Sequence, residues 1–373
     1  MAWKIETIDA DVGDTGQIAV DGSGNPHVVY THGWGGPNYY GLNYGYRDGT
    51  GWHTEVLTAS GIYQAIAARG DHIAVAWSVY SDDYCNVDIY CATKVIGGSW
   101  SIDLVQTPAP YQPDCYDAWG ITGIAIALDS AFAPHIVYAR NWQWYDGGYN
   151  NYSTMVYLDG SSGWSETLFN TNENIGTDYG THTWMASNAH CLAIDSSDTL
   201  HVTWDEDVTI GSDWMSYIYY ANSADGWTPV EVASIAADGS GHRYGQWPTL
   251  AINDDGGVAI LYNYNGATTI NYYHPIGGTS EEISGNLAGR FANALSNTEA
   301  LVVRWESTAL KISTLKGGSW TTVDVAGAGS HPANPDIVYD AVRKKYHIIY
   351  CALWDGDTKY AVMGGAQAQW MFF

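Results

Sequence analysis

Residues 192–232 read LAIDSSDTLHVTWDEDVTIGSDWMSYIYYANSADGWTPVEV, and the pattern of this stretch decides the architecture. A short apolar run at 192–195 ends in a tight Asp/Ser turn. A second run, His201-Val-Thr-Trp204, follows, and then a longer polar insertion. A third run at 216–221 leads into a turn closing on Asp225-Gly226, and Trp227 opens a fourth run. Apolar residues alternating with Tyr, Trp, Ile, Val and Thr suit half-buried strands. Asp, Ser and Gly supply the reversals between them. The stretch therefore predicts four short strands in succession.

The unit recurs along the chain. Its second run, ending in an aromatic, returns as His27-Val-Val-Tyr30, Ala74-Val-Ala-Trp77, His135-Ile-Val-Tyr138, Ala259-Ile-Leu-Tyr262, Val302-Val-Arg-Trp305 and His347-Ile-Ile-Tyr350. The mean step between closing aromatics is about 53 residues, a blade-sized period. Runs rich in small residues precede each copy, with Ala19, Ala67, Ala127, Ala193 and Ala251 among them. Trp52, Trp100, Trp164, Trp227 and Trp320 mark the starts of fourth strands. Four strands per repeat, without helical periodicity, predict an all-β, seven-bladed β-propeller with four antiparallel strands per blade. One domain over 1–373 is expected, with residues 1–9 closing the last blade as its outer strand. The tail, 364–373, ends in Trp370-Met-Phe-Phe373. It is expected either as a further strand or as a segment for self-association.

Composition narrows the function. The chain carries 14 Lys+Arg against 40 Asp+Glu, a formal net charge of -26. Nucleic acid needs basic patches that displace counterions, so it is not an expected partner. No apolar run is long enough to cross a membrane as a helix. The opening residues, MAWKIETID, have neither a basic n-region nor an apolar core, so no signal peptide is expected. An extracellular, surface or virion setting is nonetheless favoured. Cys85 and Cys115 fall in expected loops and could bridge; Cys91, Cys191 and Cys351 fall in strand-like runs and read as buried thiols. With 18 Trp and 29 Tyr against 5 Phe, the aromatics combine apolar bodies with polar tips.

The extra residues cluster in the first five repeats. Long connections are expected at 31–41, 78–87, 139–152 and 205–216, joined on the same face by 106–120, 169–188 and 234–248. Connections of this length are usually functional or disordered. These bring Trp34, Tyr39, Tyr40, Trp142, Trp144, Tyr145, His182 and Trp214 among Gly, Asn and Asp, with Arg140 nearby. Flat aromatic faces and planar amides suit the two sides of a sugar ring, so this set is read as a carbohydrate or glycoconjugate site. The repeated His27, His135, His201 and His347 are read as structural, each bonding a neighbouring turn. His242, Arg243 and Tyr244, facing Asp205 and Glu206, would be the acid–base set if the protein is an enzyme. No zinc or EF-hand spacing occurs; Asp205-Glu-Asp207 and Ser81-Asp-Asp83 could offer oxygen ligands to Ca²⁺.

The turns Asp48-Gly-Thr-Gly-Trp52 and Ser223-Ala-Asp-Gly-Trp227 resemble degenerate Asp-boxes. On these and the repeat, nearly the whole chain resembles the sialidase-like, Asp-box (BNR-type) propellers and the propeller lectins. A sialidase-like resemblance implies an arginine cluster on a ligand carboxylate, for which Arg140, Arg243 and Arg290 are available. The chain is also similar to polysaccharide lyases built as propellers, which implies work for His, Tyr and Arg. Three functions stay open: a carbohydrate-binding, lectin-like propeller; a polysaccharide lyase or glycoside hydrolase; and a structural or adhesion component of a virion or cell surface.

Overall fold

Alternation of apolar and polar residues becomes strand almost wherever it occurs. The computed structural model describes residues 3–10, 16–31, 41–80, 87–107, 121–145, 149–177, 181–186, 190–210, 213–236, 248–253, 255–264, 269–273, 280–284, 291–296, 299–306, 309–316, 319–325, 332–340, 342–352 and 356–363. Among these the single helical element is the three-residue 3₁₀ turn Gly160–Ser162. The chain is all-β, of the β-propeller class, with four antiparallel strands per blade.

The chain divides into two compact units. The first, Met1–Ala59 with Ala288–Phe373, holds three four-stranded sheets. One is Gly16–Val20, Pro26–Thr31, Leu42–Arg47 and Trp52–Thr58. Another is Phe291–Leu295, Glu299–Glu306, Ala309–Lys316 and Ser319–Asp324. The third is Pro332–Asp340, Lys345–Ala352 and Asp357–Met363, with Trp3–Asp9 as its outer strand. The N-terminal run thus pairs where its pattern placed it, Ile5 opposite Ala361.

The second unit, Ser60–Leu287, holds four sheets. They begin with Ile62–Arg69, His72–Tyr80, Val87–Val95 and Ser101–Gln106. Next come Ile121–Leu128, Pro134–Tyr145, Tyr149–Asp159 and Ser165–Thr177. In the following sheet Thr181–Ala186 and Leu192–Ile194 both pair with Leu200–Ile210, before Asp213–Asn222 and Val230–Ala236. The last is Thr249–Ile252, Val258–Tyr264, Thr269–Tyr273 and Ser280–Ser284.

Within each unit the core lies between neighbouring sheets. One apolar layer joins the 62–106 and 121–177 sheets through Ile89, Ile126 and Tyr138. The next joins 121–177 to 181–236 through Met155, Phe169, Trp204 and Trp227. In the first unit Leu310, Ile312, Ile348 and Tyr350 do the same for 291–324 and 332–363. Small residues sit on the first strands, where neighbouring sheets come closest: Ala65, Ala125 and Ala127 are buried. Cys91, Cys191 and Cys351 are buried, as read. Cys85, Cys115 and the 364–373 tail lie outside the described residues.

The repeated histidines are structural bridges. His27 Nε2 stands 3.3 Å from Asp21 Oδ2, and its Nδ1 stands 2.6 Å from the Tyr44 hydroxyl. His135 meets Asp129 and Tyr157 at 3.3 and 2.8 Å. His201 meets Asp195 and Tyr220 at 3.4 and 2.7 Å. A carboxylate can only accept, so Nε2 carries the proton and Nδ1 receives the phenol O–H. The other oxygen of each Asp takes backbone N–H groups of the following turn: Asn25 N on Asp21, Ala131 and Ala133 N on Asp129, Ser197 and Thr199 N on Asp195. At His347 the phenol of Tyr360 lies 2.6 Å from Nδ1, and burial holds the imidazole down at about 4.

The structure corrects one part of the expected organisation. Residues 139–152 and 205–216 are not loops. They are the distal halves of long hairpins, with only 146–148 and 211–212 between their strands. Much of 169–188 is strand as well. Trp, Tyr, Thr and Val carry strong strand propensity, and the Asp-Gly-Gly and Gly-Ser sequences between them suit hairpin turns. Aromatic density spread over a long insertion was therefore strand signal. Trp164 and Trp227 stand in the turns before their fourth strands, with φ of 67° and 63°.

The N-terminal strand is fastened by charge to the neighbouring sheet of its own unit. Glu6 accepts from Arg47 Nε at 2.7 Å and Nη2 at 3.1 Å, and from Trp52 Nε1 at 3.1 Å. The Arg47 hydrogen bonds hold its carboxyl down at about 2. A depressed carboxyl contributes stability that is complete above its unfolded value near 4.5 and is lost as pH falls through the folded value. Glu6→Gln should cost about 1–2 kcal/mol at pH 7, after solvent screening of this partly exposed pair. Urea unfolding at pH 7 and pH 3 should show the gap between variant and parent narrowing at the lower pH.

Candidate functional site

The long hairpins bring most of the described candidate residues into two adjacent sheets. Pro134–Tyr145 pairs with Tyr149–Asp159 over its whole length, Trp142 opposite Tyr152 and Trp144 opposite Asn150. In the next sheet Thr181–Ala186 runs beside the distal half of Leu200–Ile210. The register places His182, Thr209 and Trp214 in one row across three strands. Met185, Glu206 and Tyr217 form another row. Trp142, Trp144, Tyr145, His182 and Trp214 are thus strand residues, placed here by backbone register.

At the foot of these hairpins lies a buried polar cluster. Glu206 is 6% exposed, and each of its oxygens takes one side-chain amide. Asn170 Nδ2 donates to Oε2 at 2.9 Å, and Asn172 Nδ2 to Oε1 at 3.0 Å. Both asparagines belong to Ser165–Thr177 of the neighbouring sheet. They reach Glu206 because that strand is bulged: pairing slips between Ser153↔Asn172 and Met155↔Phe169. Asn170 adopts φ 50°, a left-handed conformation that Asn tolerates better than most residues. Bulges of this kind re-aim side chains and recur beside functional sites. Burial pushes the Glu206 carboxyl up, and the two amides offset only part of that shift.

Asn141 clamps the same foot from the other side. Its Nδ2 donates to Met185 O at 2.7 Å, and its Oδ1 accepts from Met185 N at 3.0 Å. It thereby pairs with the Met185 backbone as another strand would. Thr122 Oγ1 donates to the same carbonyl at 2.9 Å. Two neighbouring sheets are stitched together directly beneath the extended strands.

Arg140 is otherwise engaged. It is 6% exposed, and its Nη2 donates at 2.7 Å both to the Tyr138 hydroxyl and to Glu166 Oε2. Tyr138 donates to Gln106 Oε1 at 2.7 Å, and Gln106 in turn bonds Glu166. Burial pushes Glu166 up, but Arg140 and Gln106 outweigh it and leave the carboxyl below its ordinary value. Burial also pushes Tyr138 up, to about 12 against the pull of Arg140. The ring of bonds ties the 62–106 sheet to the 121–177 sheet and keeps this guanidinium on protein partners.

Asp205 and Glu206 do not act as an exposed pair. Both are buried, and as strand neighbours they face opposite sides of their sheet. Only one of the two can therefore be turned toward any one partner group on either side of the strand. Asp207, on the Asp205 side, bonds Ser216 across the hairpin. Trp34, Tyr39, Tyr40, His242, Arg243, Tyr244 and Arg290 lie outside the residues whose side chains are described. Among the described residues, no group of three His, Cys, Asp or Glu could hold a metal ion. No helix among them is long and apolar enough to cross a membrane. Sequence reasoning did not single out Asn141, Asn170, Asn172 or Glu166. The Asn-rich run Asn170-Thr-Asn-Glu-Asn174 was the available signal.

No protein-family model matches the chain, and no curated protein sequence does. Among solved structures the chain is similar to the Penicillium chrysogenum alpha-L-arabinanase complexed with arabinobiose. The two share 8% identity at a TM-score of 0.54, over 96% of this chain and 97% of that one. It is also similar to an acylaminoacyl peptidase, at 9% identity and a TM-score of 0.51, over 94% of this chain and 51% of that one. Trypanosoma rangeli sialidase aligns at 11% identity and a TM-score of 0.47, over 95% of this chain and 55% of that one. The chain thus spans about half the length of the sialidase chains it matches. At such identities the likeness shows the fold alone.

Two substitutions test the cluster. Asn141→Ala leaves a buried N–H and C=O of Met185 without this partner and should lower stability by about 2–3 kcal/mol in urea unfolding. Glu206 behaves in the opposite sense to Glu6. Its raised folded value means that the stability it confers is complete below the unfolded value near 4.5 and is lost as pH rises through the folded value. Glu206→Gln should therefore match or exceed the parent at pH 7.5, and that advantage should vanish at pH 4.

Proposed function

We propose that this chain is a carbohydrate-binding, lectin-like β-propeller whose ligand is held by the distal halves of the hairpins in the 121–177 and 181–236 sheets. One domain over 1–373 is part of this reading. The observation that carries it is the pair of extended hairpins. They carry Trp142, Trp144, Tyr145 and Trp214 on paired strands, with Thr209 opposite Trp214 and Asp213 next to it. Aromatic faces and amides set on strands give a more rigid platform than the same residues on loops. The foot of the platform is braced by Asn141 and Glu206. The net charge of -26 suits a neutral or cationic ligand better than an anionic one. The fold is compatible with a sugar site, since the similar arabinanase holds arabinobiose.

One observation favours hydrolysis as a second reading. Glu206 is a buried carboxyl pushed above its ordinary value, the property a general acid needs. A glycoside hydrolase needs a second carboxylate across the scissile bond, and Asp205 and Asp207 stand on the other face of the same strand.

An array of neutral and acidic oligosaccharides separates the readings. The lectin reading expects binding without release of reducing ends. It expects Trp142→Ala, Trp144→Ala or Trp214→Ala each to weaken binding about tenfold or more, an anchor-sized effect, with an unchanged circular dichroism spectrum. Binding to none of the oligosaccharides would reject it. Product release lost in Glu206→Gln would replace it with the hydrolase.

A further inference from the structure

One of the four repeated histidines lacks its carboxylate. In three sheets the Asp stands two residues past the first-strand partner of the His. Ala19 pairs with His27 and is followed by Asp21, Ala127 with His135 and Asp129, Ala193 with His201 and Asp195. One oxygen of that Asp takes the turn and the other faces Nε2. In the 332–363 sheet Val338 pairs with His347, and Asp340 holds the same place. The turn after it is one residue longer, so Asp340 lies seven residues before its His rather than six. Its Oδ1 accepts from the backbone N–H groups of Val342 and Arg343, both at 3.0 Å, and its Oδ2 from Arg343 Nη1 at 3.3 Å. The guanidinium has taken the oxygen that the imidazole uses in the sister sheets.

His347 is 3% exposed, and its Nε2 is buried with no hydrogen-bond partner among the described residues. Its Nδ1 keeps the Tyr360 phenol. Either neutral tautomer leaves Nε2 unmatched, as a donor or as a lone pair. An imidazolium would place a charged N–H there, and a buried charge without a partner costs far more than a neutral group. The charged groups around the ring are Asp340 from the first strand and Arg343 and Lys345 from the turn. Burial above all, with the two cations, outweighs the pull of Asp340 and holds the ring at about 4, below the ordinary 6.5.

The phenol leads from this ring to the N-terminal strand. Tyr360 faces His347 from the third strand and is the strand partner of Glu6. Its ring meets Trp52 edge-on, with centroids 5.2 Å apart. Trp52 and Arg47 both donate to Glu6, the bonds that fasten the outer strand. The unmatched imidazole therefore sits one side chain away from the fastening of Trp3–Asp9.

We propose that His347 is an acid-operated release: once its ring takes a proton, the 332–363 sheet and the N-terminal strand that completes it open, while the 121–177 sheet stays folded. The opened ring takes its proton near 6.5 and the closed ring near 4. The stability that the neutral ring confers is complete above the first value and is lost as pH falls through the second. Across that window the local opening equilibrium should rise by about 100-fold. Glu6, held at about 2, is still ionised at pH 4, so its own loss comes later.

Hydrogen exchange read by mass spectrometry at pH 7.5 and pH 4, corrected for intrinsic rates, tests this on the parent, His347→Gln and Arg343→Gln. In the parent, protection of peptides from 3–9 and 345–363 should fall about 100-fold on acidification relative to peptides from 134–159. His347→Gln carries no titrating ring, and Arg343→Gln frees Asp340 to face Nε2 as its sisters do. Each variant should lose most of that fall. A parent without a selective fall overturns the inference, and so does a fall shared equally by 134–159, which is global acid unfolding. An undiminished fall in His347→Gln also overturns it, because another group then carries the proton; should that variant fail to fold, Arg343→Gln is read in its place.

Discussion

An imidazole held between a carboxylate and a phenol is the constraint on which three of these sheets are built. In the Asp21–His27–Tyr44 bridge, one carboxylate oxygen takes the backbone of the first-to-second turn and the other takes the ring. The ring then takes the phenol of the third strand. One side chain thereby fixes a turn, a second strand and a third strand together. All three partners are buried or nearly so, which makes a half-made bridge costly and a complete one specifying. The arrangement recurs at His135 and His201, so the same local chemistry is used in three sheets. Burial lowers His201 as it lowers His347, which favours the neutral ring at both positions.

That repetition explains what could be read in advance. The pattern of a run ending in Tyr30, Trp77, Tyr138 or Trp204 is local, and so is an Asp six residues before His27, His135 and His201. Four strands to a sheet, strand order and the outer place of Trp3–Asp9 follow from such local signals repeated in register. The bridging phenol is diagonal across two strands: Tyr44 stands two residues before Tyr46, the partner of His27. It becomes visible only once the register is known.

The site was less legible, for a reason visible in the 139–152 segment. Its Trp, Tyr and Asn residues satisfy two descriptions at once, a ligand-binding loop and a continued hairpin. Composition does not separate them. Pairing with a neighbouring strand does, as Trp142 opposite Tyr152 shows. The same holds for Arg140 and Glu206. Their chemistry was recognised, but their networks cross to other sheets: Tyr138 and Glu166, which hold Arg140, both bond Gln106 on the preceding sheet, and Glu206 accepts from Asn170 and Asn172 on the preceding sheet. No spacing within the repeat encodes those meetings.

Departures from the repeat become legible once the partners are known. Arg140 with Glu166, and Asn141 with the Met185 backbone, close on protein groups. They lengthen the hairpins' footing without leaving a face to solvent. Asn170 belongs with them, since its left-handed backbone is offset by the bond to Glu206. A buried departure of this kind can be selected for stability alone. In a repeat protein every sheet supplies a control for its neighbours, and Gly123 and Asn334 show the left-handed backbone that the break in first-strand pairing asks for.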